Sequence, residues 1–177
     1  MKIALRFALA LLVAISLAAC KSTPDEEPAP VEDTRPTQTD DTADTRAAPD
    51  PRDYTDARNF DNPESLLSRR IIYFDFDKST VRPEFRDTIS AHAAYMASSS
   101  TARVTLEGHA DERGTREYNL GLGERRGNAV SGLLSAQGAR GSQTSTVSYG
   151  EERPVCRVSD EDCWAQNRRV EIVYTAR

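Results

Sequence analysis

Residues 103–138 read "RVTLEGHADERGTREYNLGLGERRGNAVSGLLSAQG", a strand, a charged loop and a helix in immediate succession. From Arg103 to Gly108, Val104 and Leu106 alternate with Thr105 and Glu107, the period-two pattern of a strand with one buried face. Thr115 is placed to cap a helix, Glu117 suits its first turn, and Gly138 stops it after about Gln137. The apolar stripe of that helix is Leu122, Ala129, Val130, Leu133 and Leu134. Gly121, Gly123, Gly127 and Gly132 lie within it, and each costs up to about 1 kcal/mol relative to alanine in a helix interior. Close packing on a sheet or close approach of a ligand would account for them. Gly123 and Gly127 have GxxxG spacing, but the charged Glu124-Arg125-Arg126 between them excludes a membrane dimer motif. Arg126 also stands where a dinucleotide fingerprint needs its third glycine.

Ahead of this stretch, "RIIYF" (Arg70 to Phe74) is a short apolar run of β-formers and reads as a buried strand. Pro83 suits the first turn of a helix whose inner face is Phe85, Ile89, Ala93 and Met96. "TVSYG" (Thr146 to Gly150) and "RVEIVYT" (Arg169 to Thr175) are two further strands, separated by a short helical turn around Asp160–Gln166. The order β-α-β-α-β-β predicts an α+β sandwich, a mixed four-stranded sheet with helices on one face. Residues 66–177 are enough for one domain with a single core.

The flanking sequence differs in kind. Lys2 and Arg6 precede a thirteen-residue stretch, Phe7 to Ala19, that is apolar except for Ser16. A bilayer's hydrocarbon core of roughly 30 Å takes about 20 residues to cross, so residues 1–19 read as an export signal. "LAAC" at its end resembles a bacterial lipobox, which implies acylation of Cys20 and release of the leader. Several acyl chains on one residue make a stable anchor. In the common sorting pattern Lys21 after the cysteine favours the outer membrane. Residues 21–63 carry seven of the nine prolines, no glycine, and 12 acids against 5 bases, while residues 64–177 carry 16 of each. The expected organisation is a leader at 1–19, lipidated Cys20 with an acidic Pro-rich linker at 20–65, and the domain at 66–177. In an oxidising compartment the remaining cysteines, Cys156 and Cys163, are most simply a disulfide, and an eight-residue loop contributes about 2.5 kcal/mol on the chain-entropy model.

The charged loop admits three chemistries. "IIYFDFDKST" looks like the first motif of haloacid-dehalogenase-type phosphatases, with Asp75 and Asp77 as nucleophile and acid-base. Such an enzyme needs a downstream cation and a later acidic pair; Lys78 adjoins the motif and "SDEDC" falls inside the disulfide loop, so the alternative reading for both aspartates is turn formation. A metal site lacks a third ligand beside His109 and Asp111, and His92 falls on an apolar helix face as a packed residue. No cofactor is expected, and a neutral domain without a basic stripe excludes nucleic acid as a partner. The third reading is a clamp: Asp111 past a strand end for an ammonium, and Arg126 fifteen residues on for a carboxylate. Spacing alone equally allows Asp111 and Arg126 to pair with each other.

"YFDFDKSTVRPEF", "VTLEGHADERGTREYNLGLGERRGNAV", "VSYGEERP" and "NRRVEIVY" together resemble the OmpA-like peptidoglycan-binding family over about residues 70–175. The resemblance implies non-covalent binding of the meso-diaminopimelate of the peptidoglycan stem peptide, without catalysis. It implies that Asp111 takes the amine, Arg126 takes the carboxylate, and the turn at Phe76 and Asp77 lines the pocket with backbone donors. Asn119, Leu122 and Arg168 would shape or order the site. For a lipid-anchored member it further implies an outer-membrane, periplasm-facing tether in the Tol system, with a TolB-like periplasmic propeller protein and other Tol components as partners and a role in cell division. A member without a Tol partner is the alternative. Gly127 stands where the family usually has alanine, and the Cys156–Cys163 loop is carried by some members.

Overall fold

The computed structural model describes residues 47–177; the leader, Cys20 and most of the acidic linker lie outside the described residues. Four strands lie among the described residues: β1 (Ile71–Tyr73), β2 (Arg103–His109), β3 (Thr144–Gly150) and β4 (Arg169–Ala176). Their spatial order is β1-β4-β2-β3, with β4 antiparallel to β1 and β2, and β2 parallel to β3. A parallel pair needs a long crossover, and α2 (Arg116–Ala136) supplies it between β2 and β3. The mixed sheet and α+β class agree with the sequence reading.

Alternation decides which face is covered. Val104 and Leu106 of β2 and Val170 and Ile172 of β4 are buried in one core, while Thr105, Glu107, Glu171 and Val173 turn to the other side and are only half-buried. Helix α1 (Arg86–Ser98) adds Ile89, Ala93 and Met96 to that core, and α2 adds Val130 and Leu134. The Thr115 hydroxyl accepts from the Tyr118 N–H and caps α2, and Gly138 takes φ +106 just past its end.

Two glycine positions set how closely α2 lies on the sheet. A Cβ on Gly108 would stand 2.0 Å from the Gly123 carbonyl oxygen, and one on Gly127 would stand 2.4 Å from Thr146 Cγ2. Backbone-on-sheet packing, not a ligand, therefore accounts for Gly123 and Gly127. Nothing in the structure explains Gly132.

Packed structure begins ahead of residue 66, within the stretch that composition reads as linker: Phe60 belongs to the core and Tyr54 packs against it. Phe60 is 2% exposed and meets Tyr95 and Tyr174 edge-on at 4.7 and 4.6 Å. Asp56 and Ser65 cap 3-10 turns at Ala57–Phe60 and Leu66–Ser68. The packing rests on a few aromatic residues scattered among prolines and acids, so composition averaged over the segment hid it. His92 is a packed core residue, its two ring nitrogens at 3.0 Å from the Tyr174 hydroxyl and the Arg69 carbonyl. Cys156 and Cys163 are bonded, and the latter lies in α3 (Glu161–Asn167), which Asp160 caps.

Candidate functional site

Three segments meet at one end of the sheet: the turn after β1, the loop after β2, and the middle of α2. Between them lies a pocket of about 230 Å³ lined by Phe76, Asp77, Asp111, Tyr118, Asn119, Leu122 and Arg126, with Arg113 and Gly114 at its wall. Six of the residues expected at the site are thus brought together. The seventh, Arg168, stands behind Asp111. The Cys156–Cys163 bridge is outside this pocket, and Cys20 lies outside the described residues.

Arg126 is fully buried and anchors the turn after β1. Its guanidinium donates to the carbonyls of Lys78 (2.8 Å), His109 (2.8 Å) and Asp75 (3.2 Å). A guanidinium has five N–H donors, so one on each terminal nitrogen remains for a ligand. Burial pushes its pKa down to about 10, opposed by the nearby Asp111 carboxylate, and it stays cationic at neutral pH. The turn it holds places Asp77 at φ 55, a left-handed conformation that aspartate tolerates better than most residues. There the Asp77 carboxylate accepts from the Tyr118 hydroxyl. The N–H groups of Phe76 and Asp77 make no hydrogen bond among the described residues.

Asp111, 4% exposed, does not pair with Arg126. Its partners are two other arginines. Arg113 bonds it locally, through its own backbone N–H (3.1 Å) and through Nη2 (2.7 Å). Arg168, between α3 and β4, reaches it at 3.3 Å, while its Nε donates to the Phe74 carbonyl at 3.1 Å. Burial raises the Asp111 carboxyl, but the hydrogen bonds from Arg113 and Arg168 outweigh it and hold the group below the usual range. Asn119 donates to the Asp111 carbonyl at 3.1 Å and to the Glu151 carboxylate, tying the loop to α2.

The sequence reading missed Arg113, Glu161 and Trp164. The Arg113 guanidinium is stacked between the Phe76 ring (4.0 Å) and the Trp164 ring (4.2 Å). Glu161 bonds Arg168 at 2.7 Å and Arg113 at 3.3 Å. The two-residue spacing of Asp111 and Arg113 was a visible signal, since an aspartate commonly bonds the N–H two residues on. Nothing local placed α3 beside that loop.

Comparison with known proteins bears on the same residues. The OmpA family model matches residues 73–168, more than half of the chain and every residue of the pocket. The chain belongs to the OmpA family. Within that family it is 53% identical over 108 residues to the peptidoglycan-associated lipoprotein of Pseudomonas aeruginosa, covering 61% of this chain and 64% of that one. It is 46% identical to the peptidoglycan-associated lipoprotein of Pasteurella multocida, covering 58% of this chain and 69% of that one. The crystal structure of the peptidoglycan-associated lipoprotein from Burkholderia pseudomallei superposes with a TM-score of 0.64 at 42% identity, covering 66% of this chain and 98% of that one. The OmpA-family match thus extends from β1 to the Arg168 that backs the pocket.

Proposed function

We propose that this chain is an outer-membrane lipoprotein, anchored through Cys20 and facing the periplasm, that holds peptidoglycan non-covalently by the zwitterionic end of meso-diaminopimelate. The observation that carries this reading is that Asp111 and Arg126 face one small pocket without pairing to each other. The spare N–H groups of Arg126 suit a carboxylate bidentately, Asp111 suits an ammonium, and the free N–H groups of Phe76 and Asp77 supply further donors to the ligand carboxylate. On this reading each contact to the ligand is a hydrogen bond or an ion pair, and the site grips without chemistry. The relatives described above are peptidoglycan-associated lipoproteins, which supports peptidoglycan as the polymer held.

The test is co-sedimentation of the full-length chain in detergent with purified diaminopimelate-containing sacculi. The Asp111→Asn variant keeps the side chain's shape and removes its charge. Wild type is expected in the pellet and the variant in solution, since a hydrogen bond to a charged group contributes about 1.5–3 kcal/mol. Equal pelleting would place the ligand elsewhere. As part of the same reading we assign the chain to the Tol-Pal system, with a TolB-like propeller protein as partner and support of envelope constriction at division as its role. Capture of TolB by the chain, relieved by soluble peptidoglycan fragments, is the expected result. Sacculus binding without TolB capture would favour an OmpA-like tether outside that system.

A further inference from the structure

Glu161 lines no wall of the pocket, yet it completes a closed ring of alternating charge: Asp111, Arg113, Glu161, Arg168 and back to Asp111. Within that ring, without Glu161, one carboxylate would face two guanidiniums. An ammonium arriving at Asp111 would then be a third cation beside a single anion. Glu161 touches both of the same guanidiniums, at 2.7 and 3.3 Å, and brings the sum of the four groups to zero.

The arginines cannot answer by moving aside. Arg113 is wedged between the Phe76 and Trp164 rings at 4.0 and 4.2 Å, and Trp164 is itself fixed by its Nε1–H, which donates to Glu112 at 3.0 Å. Arg168 is 6% exposed and bonded to the Phe74 carbonyl. Their charge must therefore be balanced in place. Cys163 and the Asp160 cap hold α3 so that Glu161, its first residue, points at both guanidiniums.

We infer that Glu161 is a specificity-determining residue: it neutralises Arg113 and Arg168 so that Asp111 accepts an ammonium group. It acts through the arginines and is a positioning residue for charge. The inference rests on the diaminopimelate reading given above. Loss of Glu161 leaves the Arg126 end of the pocket as it is and turns the Asp111 end cationic. Binding of an amine-bearing ligand falls, and binding of the same ligand with its amine blocked does not.

The experiment measures binding of the full-length chain in detergent to native sacculi and to sacculi whose amines have been N-acetylated. Wild type is compared with Glu161→Gln and Glu161→Asp. Wild type prefers native sacculi. Glu161→Gln binds native sacculi about five- to tenfold more weakly at low salt, and the deficit shrinks as ionic strength rises. On acetylated sacculi the same variant matches wild type, and Glu161→Asp recovers most of the loss on native ones. Equal weakening on both substrates would mean that Glu161 only fastens α3, and no weakening at all would mean that the ring is irrelevant to binding; either overturns the inference. A wild type that binds both substrates alike removes the diaminopimelate reading and this inference with it, and that outcome is read before any variant is compared.

Discussion

Replacing Arg126 by methionine separates its two roles. The substitution roughly conserves volume and removes three donations into the turn after β1 and the end of β2. The three carbonyls are not equal. Asp75 still accepts from the Lys78 N–H at 3.2 Å, and Lys78 sits on an exposed turn where water serves. The His109 carbonyl is buried with its residue 2% exposed, and an orphaned buried acceptor costs about 1–3 kcal/mol. Loosening of the turn adds to this, while removing a buried cation with no carboxylate in contact gives some back. The net expectation is a loss of about 2–3 kcal/mol, which lowers the thermal midpoint of a domain this size by about 10 °C. The assay is a calorimetric or circular-dichroism melt of the full chain in detergent, with sacculus binding measured in parallel. A midpoint within 2 °C of wild type, alongside lost binding, would refute the structural half of this reasoning: the carbonyls would then be satisfied without Arg126.

Gly127→Ala alone is expected to destabilise by about 1–3 kcal/mol through overpacking against Thr146 Cγ2; paired with Thr146→Ser, which deletes that methyl, it should regain wild-type stability or exceed it in urea titrations. Phe60→Ala should cost about 3–5 kcal/mol in the same assay although it lies where composition reads as linker, because its ring packs on Tyr95 and Tyr174. Burial, aided by the Arg70 charge for His92 and the Arg169 charge for His109, lowers both imidazoles to about 4. A histidine whose folded pKa lies below its unfolded value contributes stability that is fully present above the unfolded value near 6.5 and is lost as pH falls towards 4. Unfolding free energy measured at pH 7 should therefore exceed that at pH 5, and His92→Gln should flatten the difference. Asp111 shifts the opposite way relative to its charge and acts only below the normal carboxylate range, so it does not confuse that window.

What could be read from the residues was what local periodicity and caps encode. Thr115, Gly138 and the Leu122–Val130–Leu134 stripe gave α2 nearly to its ends, and alternation at Val104 and Leu106 gave β2 and its buried face. Asp111 and Arg126 were legible as a pair of opposite charges flanking a loop; whether they bonded each other was not, because that depends on Arg168, 57 residues after Asp111, arriving first. Glu161 and Trp164 were invisible for the same reason, since only the docking of α3 beside the β2 loop gives them anything to touch. Phe60 was lost differently: one buried ring, packed on Tyr95 and Tyr174, ties down a segment whose average composition says it cannot fold.

The sheet order carries a consequence for timing. β4 is the last of the sheet's four strands in sequence, yet it sits between β1 and β2 and pairs with both. Until residues 169–176 are available, β1 has no neighbour at all. Arg168, just ahead of that strand, is also absent from Asp111. A chain whose tail is still inside a ribosome has the β2–α2–β3 segment available but neither the four-stranded sheet nor the finished pocket. The sheet and the pocket are therefore completed last, when β4 pairs, and ligand-competent protein exists only after the polypeptide has been delivered whole.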